Sequence, residues 1–151
     1  MPLVAMGGDS FQAPPDSQEP YPFIFGRAPG SSDGPVVEIS TGARWYTNSN
    51  YTGPRAPVLP NQYVAYVGHY ENHSAEGPTV RIFVRGAQLM ALMDGEVSST
   101  GAIPLMSLGR AEFRPAEPAY NPERLRFDPV VANHAIRLML SGTPLYRVDT
   151  P

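Results

Sequence analysis

From Tyr63 onward, apolar and polar residues alternate with the period of a pleated strand. Val80, Ile82 and Val84 alternate with Arg81 and Arg85. Leu125 and Phe127 alternate with Arg124, Arg126 and Asp128, and Ile136, Leu138 and Leu140 with Arg137. Side chains two apart share a face of a strand, so each run has one buried and one wetted side. The pattern predicts strands over 66–72, 79–85, 88–93, 103–108, 111–114, 124–131, 134–140 and 145–148. Turn chemistry separates them. Gly86-Ala87, Asp94-Gly95 and Ala132-Asn133 suit two-residue hairpins, and Gly109 follows Leu108. About eight short strands with no crossover helix imply an all-β antiparallel meander. Closing it into a barrel removes its edges, and eight strands enclose an interior that side chains fill or that holds one small ligand.

Upstream the pattern is less regular. Val37, Ile39 and Thr41 alternate with Val36, Glu38 and Ser40, which predicts a further strand over 36–47. Residues 48–60 read as a loop and 61–65 as a short helical turn. Residues 1–35 carry seven prolines and five glycines, a breaker density that predicts an extended arm or linker without regular elements. Tyr21, Phe23, Ile24 and Phe25 are too apolar to lie loose there. They read as a strap packed on the domain, with a face that meets a partner as the alternative. The organisation expected is thus an N-terminal arm over 1–35 and a barrel domain over 36–151.

Composition narrows the chemistry. The formal charge is −3, which excludes a strong field for polyanions, and no basic cluster suggests nucleic-acid binding. Lysine is absent, and all eleven basic residues are arginines, so a lysine base or Schiff base is excluded. Cysteine is absent too, which excludes disulfides, thiol nucleophiles and thiolate metal sites. Residues 1–10 have no export pattern and no stretch has the length of a membrane span, so the expectation is a cytoplasmic protein without a membrane partner. The sequons Asn50-Tyr51-Thr52 and Asn72-His73-Ser74 then read as chance matches.

The run "YVGHYENH" at 66–73 is similar to the opening strand of a domain that follows the catalytic domain in many bacterial serine hydrolases of the β-lactamase, penicillin-binding-protein and D-aminopeptidase type. The likeness continues through "VRIFVRGAQLMAL", "PLMSLGRAEFR", "PERLRFDPVV" and "HAIRLMLSGTPLYRVDTP". The segment "GARWYTNSNYTGP" resembles the junction before that domain. Together these cover about residues 36–151. The resemblance implies a lipocalin-like barrel of about eight strands, non-catalytic, that modulates substrate access or assembly of a serine hydrolase catalytic domain on the same or a separate chain. This sequence departs from the family pattern in showing no hydrolase domain, which reads as a fragment, a split gene or a domain that now acts alone. Its catalytic Ser-x-x-Lys motif is impossible without lysine. Tyr46-Thr47-Asn48 matches a Tyr-x-Asn pattern, but reads as a strand end.

On a continuous strand His69, Glu71 and His73 would share one side, a set that suits Zn²⁺ or Fe²⁺. The plainer reading is a polar strand face, and no metal or other cofactor is expected. His134, after a turn, reads as structural. Met90, Met93, Met106 and Met139 suit core packing, or a soft lining for an apolar ligand. Trp45, Tyr70, Phe83, Leu92, Phe127 and Leu138 are the candidate ligand-contacting residues of the barrel or its mouth. No phosphate-cradling glycine pattern occurs. The leading reading is a non-catalytic accessory barrel of a serine hydrolase. The alternatives are a stand-alone carrier of a small apolar molecule and a module that forms a homodimer.

Overall fold

The computed structural model describes residues 2–14, 17, 21–29, 33–55, 59–93 and 101–148. Its larger part is a closed barrel of eight antiparallel strands. The strands are β6 (Gly68–Glu71), β7 (Thr79–Arg85), β8 (Gln88–Met93), β9 (Ile103–Gly109), β10 (Glu112–Pro115), β11 (Leu125–Phe127), β14 (Arg137–Leu140) and β15 (Thr143–Val148). Each pairs with the next, and β15 pairs back to β6. Alternation sets the two faces. Val80, Ile82 and Val84 lie opposite Met93, Ala91 and Leu89 on the inside. Tyr70, Leu105, Phe113, Leu125, Phe127, Leu138 and Leu145 fill the rest, each at most 4% exposed. Burying such side chains contributes about 1.5–3 kcal/mol apiece, which makes this interior the main source of stability.

The turns follow the residues that tolerate positive φ. Gly86 opens the β7–β8 turn at φ 62°, and Ser141-Gly142 joins β14 to β15 at φ 47° and 94°. Arg110-Ala111 joins β9 to β10 at φ 52° and 61°, beside a bulge. Asp94-Gly95, expected as a turn, lies outside the described residues. A short helix α1 (Asn61–Val64) precedes β6.

Three expectations need correction. Residues 1–35 are not without regular structure. They supply β1 (Val4–Gly7), β2 (Ser10–Gln12) and β3 (Phe23–Arg27). The expected strand over 36–47 is a hairpin, β4 (Val36–Thr41) and β5 (Arg44–Thr47), turning at Gly42 with φ 53°. It does not belong to the barrel: β1 to β5 form a separate five-stranded antiparallel sheet. Prolines and glycines punctuate this sheet without abolishing it, because its strands are only three to six residues long and fit between the prolines, with Gly7 and Gly26 taken up in β1 and β3.

The third correction concerns 124–140. Pro129 has no N–H to donate, and pairing within the barrel stops at Phe127. The chain leaves the wall as a separate ribbon of β12 (Val130–Val131) and β13 (His134–Ala135), turning through Ala132 and Asn133 at φ 48° and 62°. Ile136 then points outward at 41% exposed, and Ala135, at 0%, takes the inward place.

The five-stranded sheet packs on the outside of β7 and β8. Ile24 meets Phe83, Met90 and Leu92 in a second apolar cluster. Tyr21, Ala43 and Trp45 reach the barrel's main core. The backbone joins the two as well, since the Val84 N–H donates to the Gly42 carbonyl at 2.8 Å. The apolar residues around 21–25 therefore pack on their own domain, as a strand of a sheet. On its other side Phe25 sets its ring edge-on to Phe11 at 5.3 Å.

Candidate functional site

The six candidate ligand-contacting residues do not gather. Tyr70, Phe127 and Leu138 point into the barrel and are 0–2% exposed. Phe83 and Leu92 point outward under the five-stranded sheet. Phe83 sits between Ile82 and Val84, so alternation alone places it opposite to them. Trp45 packs on the core from β5 with its ring edge-on to Tyr51 at 5.5 Å. Inside the barrel the rings touch one another. Tyr66 stacks on Phe127 at 4.7 Å, and Phe113 meets Tyr63, Tyr66 and Phe127 at 5.3–5.7 Å. Contacts of this kind describe a packed interior.

One end of that interior holds a charge that sequence reasoning missed. On β15, Leu145 points inward, so Arg147 does too. Its Nε donates to the Ala135 carbonyl at 2.8 Å. Its Nη2 donates to the carbonyls of Val67 and Ala65 at 2.6 and 3.2 Å, and to the Tyr70 hydroxyl at 3.3 Å. The guanidinium lies 5.4 Å from the Tyr70 ring centre. Gly68 makes room for it, because a Cβ there would stand 2.6 Å from Nη1. The Tyr70 hydroxyl in turn donates to the Tyr66 carbonyl at 2.7 Å. Burial pushes the Tyr70 phenol up to about 12, against the opposing charge and hydrogen bond of Arg147. The signal was legible: an arginine at an inward position of "LYRV" must close an end or meet an acceptor.

The seam between sheet and barrel carries a second buried charge. Glu38 on β4 is 4% exposed. Arg85 at the end of β7 grips its carboxylate through Nε, at 3.1 Å to each oxygen, and through Nη2. The Trp45 indole N–H donates to Oε2 at 2.7 Å. Burial alone would raise the Glu38 carboxyl. The hydrogen bonds from Arg85 and Trp45, with the Arg85 charge, outweigh it and hold the group below its ordinary value. Gly26 on β3 leaves space for the same side chain, since a Cβ there would stand 2.4 Å from Glu38 Cγ.

Further along the seam lies a small recess lined by Tyr21, Pro22, Ile24, Gly42, Gly68, His69, Arg81, Ile82 and Phe83. His69 and Arg81 are directly opposite each other on β6 and β7. His69 Nε2 is 3.3 Å from Glu71 Oε1, and its Nδ1 is buried without a protein partner. Burial, reinforced by the Arg81 charge and opposed by Glu71, lowers the His69 imidazole below its ordinary value. His73 does not join this pair. β6 ends at Glu71, and the His73 ring stacks on Tyr146 at 4.4 Å instead. Among the described residues no three metal-ligating side chains converge. His134 is exposed on the β12–β13 ribbon.

The remaining candidates have structural surroundings. Met90 lies in the seam cluster and Met93 against the main core. Met106 is 44% exposed, with its sulfur 3.3 Å from Arg114 Nη2. Asn48 of the Tyr-x-Asn match donates to the Val36 carbonyl and accepts from the Asn50 N–H, both at 2.9 Å, which closes a turn. Exposed apolar side chains occur at Met106 and Leu108 on β9, at Val130 and Val131 on β12, and at Ile136 beside them. No helix among the described residues is long and apolar enough to cross a membrane. Comparison with family models, curated proteins and solved structures finds no match to this chain.

Proposed function

We propose that this chain is a non-catalytic, lipocalin-like accessory domain, related to the C-terminal domain of β-lactamase-like serine hydrolases, that modulates substrate access or assembly of a hydrolase catalytic domain. The observation that carries the reading is the packed eight-strand meander, whose strands fall on the segments that resemble that domain. The polar groups described at the barrel's end are engaged in holding it together: Arg147 binds three backbone carbonyls and Tyr70 a fourth. A base, an acid and a nucleophile at reacting distance are what independent catalysis would need. The packed rings also give the apolar-carrier alternative little support, since a carrier needs a chamber.

The test pairs the purified chain with the serine hydrolase domain encoded nearest to it. The chain alone is expected to turn over no ester, amide or β-lactam substrate. Added to the hydrolase, or fused to it, the chain is expected to change kcat/KM for bulky substrates more than for small ones, or to change the assembly mass. Hydrolysis by the isolated chain that co-purifies with it through successive columns would sink the proposal. So would a hydrolase whose kinetics and mass are indifferent to the chain.

A further inference from the structure

The seam recess has features that structural packing leaves unused. Its walls are largely apolar, with Ile24, Ile82 and Phe83 among them, and its polar side chains are His69, Arg81 and Tyr21. His69 is 9% exposed, and its Nδ1 has no protein partner. The Arg81 guanidinium makes no hydrogen bond to a described residue, although burial strips water from it and lowers its pKa, with Glu71 opposing. The free volume is about 10 Å³, close to that of one water-sized sphere. That space suits a monatomic ion better than a sulfate, a phosphate or a carboxylate-bearing metabolite.

We propose that this recess binds one small monovalent anion of halide size, held between the Arg81 guanidinium and His69 Nδ1–H, with one proton taken up by His69 as the anion enters.

The charges around the recess require this pairing. Glu71 on β6 and Arg81 on β7 balance each other while His69 is neutral. Protonated His69 keeps its Nε2–H toward Glu71 and gains a second N–H, at Nδ1, which is buried and has no acceptor among the described residues. The group then carries one net positive charge in a partly dehydrated seam. An anion at Nδ1 supplies both the acceptor and the countercharge, at the ring nitrogen remote from Glu71. Of the other neighbours, β15 sets Val148 opposite His69, β8 sets Leu92 opposite Arg81, and the five-stranded sheet brings the phenol of Tyr21; the charged groups beyond them are already engaged, Arg147 beside Gly68 with backbone carbonyls and Glu38 with Arg85. Low effective dielectric strengthens the attraction to both cations. Binding and protonation are then linked reciprocally, so halide affinity falls about tenfold for each pH unit above the imidazole value.

The test uses the full chain in sodium chloride and in sodium gluconate at equal ionic strength, at about pH 5.5 and about pH 8, on either side of the ordinary imidazole value. Chloride is expected to raise the unfolding temperature over gluconate at the lower pH and not at the higher. The His69 pKa, followed by NMR, is expected to be higher in chloride. A crystal soaked in bromide is expected to show anomalous scattering within hydrogen-bond distance of His69 Nδ1 and Arg81. Arg81→Gln is expected to abolish the chloride effects. Equal unfolding temperatures and equal His69 pKa in the two salts would overturn the proposal, as would a water at the recess in the bromide-soaked crystal. Should Arg81→Gln fail to fold, the wild-type NMR and bromide measurements decide alone.

Discussion

Replacing Arg85 by alanine tests how firmly the five-stranded sheet is tied to the barrel. The variant leaves the Glu38 carboxylate, 3% exposed at its side chain, with the Trp45 indole as its remaining side-chain donor. Removing one partner of a buried ion pair costs about 3–5 kcal/mol, because the other charge stays desolvated. The Arg85 side chain is 42% exposed, so water reaches the vacated place and the loss falls below that range, to about 2–3 kcal/mol. Glu38→Gln is milder, about 1–2 kcal/mol, since an amide still accepts from Trp45 and carries no buried charge. The double variant is then less destabilised than the sum of the two, by about 1 kcal/mol or more.

Urea unfolding measures all three. Trp45 is the chain's single tryptophan and sits in the clamp, so its fluorescence reports the seam while far-UV circular dichroism reports the strands. Acid adds a second reading. The folded Glu38 carboxyl titrates below its ordinary value of 4.5. Its contribution is therefore complete above that value and is lost as pH falls through the lower, folded one. The wild type should lose stability below about pH 4.5 more steeply than Glu38→Gln does. An Arg85→Ala variant that unfolds at the wild-type midpoint, or single losses that add without coupling, would refute the reasoning.

Gly68→Ala places a methyl 2.6 Å from the Arg147 guanidinium and should cost about 2 kcal/mol through displaced hydrogen bonds; the loss should shrink in an Arg147→Met background, as measured by urea midpoints. Tyr70→Phe removes the hydroxyl bonded to the Tyr66 carbonyl and should cost about 1–2 kcal/mol. In the wild type the Tyr70 phenol, pushed up to about 12, should stay un-ionised at about pH 11 in an ultraviolet titration, and Tyr70→Phe should delete that late phase. Ala132→Gly relieves a residue at φ 48° and should raise stability by about 1 kcal/mol in thermal melts.

The barrel was legible wherever a strand has one wet face. β7 shows it, because arginines mark its outer side while Val80, Ile82 and Val84 mark its inner one. β8 is the instructive exception. Its run Leu89 to Met93 shows no alternation, because both faces are covered: Leu89 and Ala91 by the barrel interior, Met90 and Leu92 by the second sheet. A continuous apolar strand in an otherwise alternating meander signals a second layer. The layer itself was hidden because β1, β2 and β3 are too short for periodicity to emerge between their prolines and glycines. The His69–Glu71–His73 set failed because β6 stops at Glu71 and the side-chain period stops with it. The Glu38–Arg85 clamp joins residues 47 apart in the chain, and no spacing rule reaches that far.

The second sheet also bears on where a partner can dock. The aromatic segment at 21–25 had the composition of a docking face, yet Ile24 is 4% exposed against the chain's own β7 and β8. With that wall covered and the barrel interior packed, the described surface that still offers grouped apolar side chains lies elsewhere. Among the exposed apolar side chains are Met106 and Leu108 on β9, Val130 and Val131 on β12 and Ile136 just after β13, each 41–55% exposed. Leaving the barrel wall at Pro129 costs the ribbon its pairing with the rest of the barrel, yet frees three apolar side chains to face outward. Under the proposed function, contact with a hydrolase domain would draw on these residues rather than on the N-terminal segment. Charged substitutions at Val131 and Ile136 should then weaken that contact, while leaving stability nearly unchanged because neither side chain is buried.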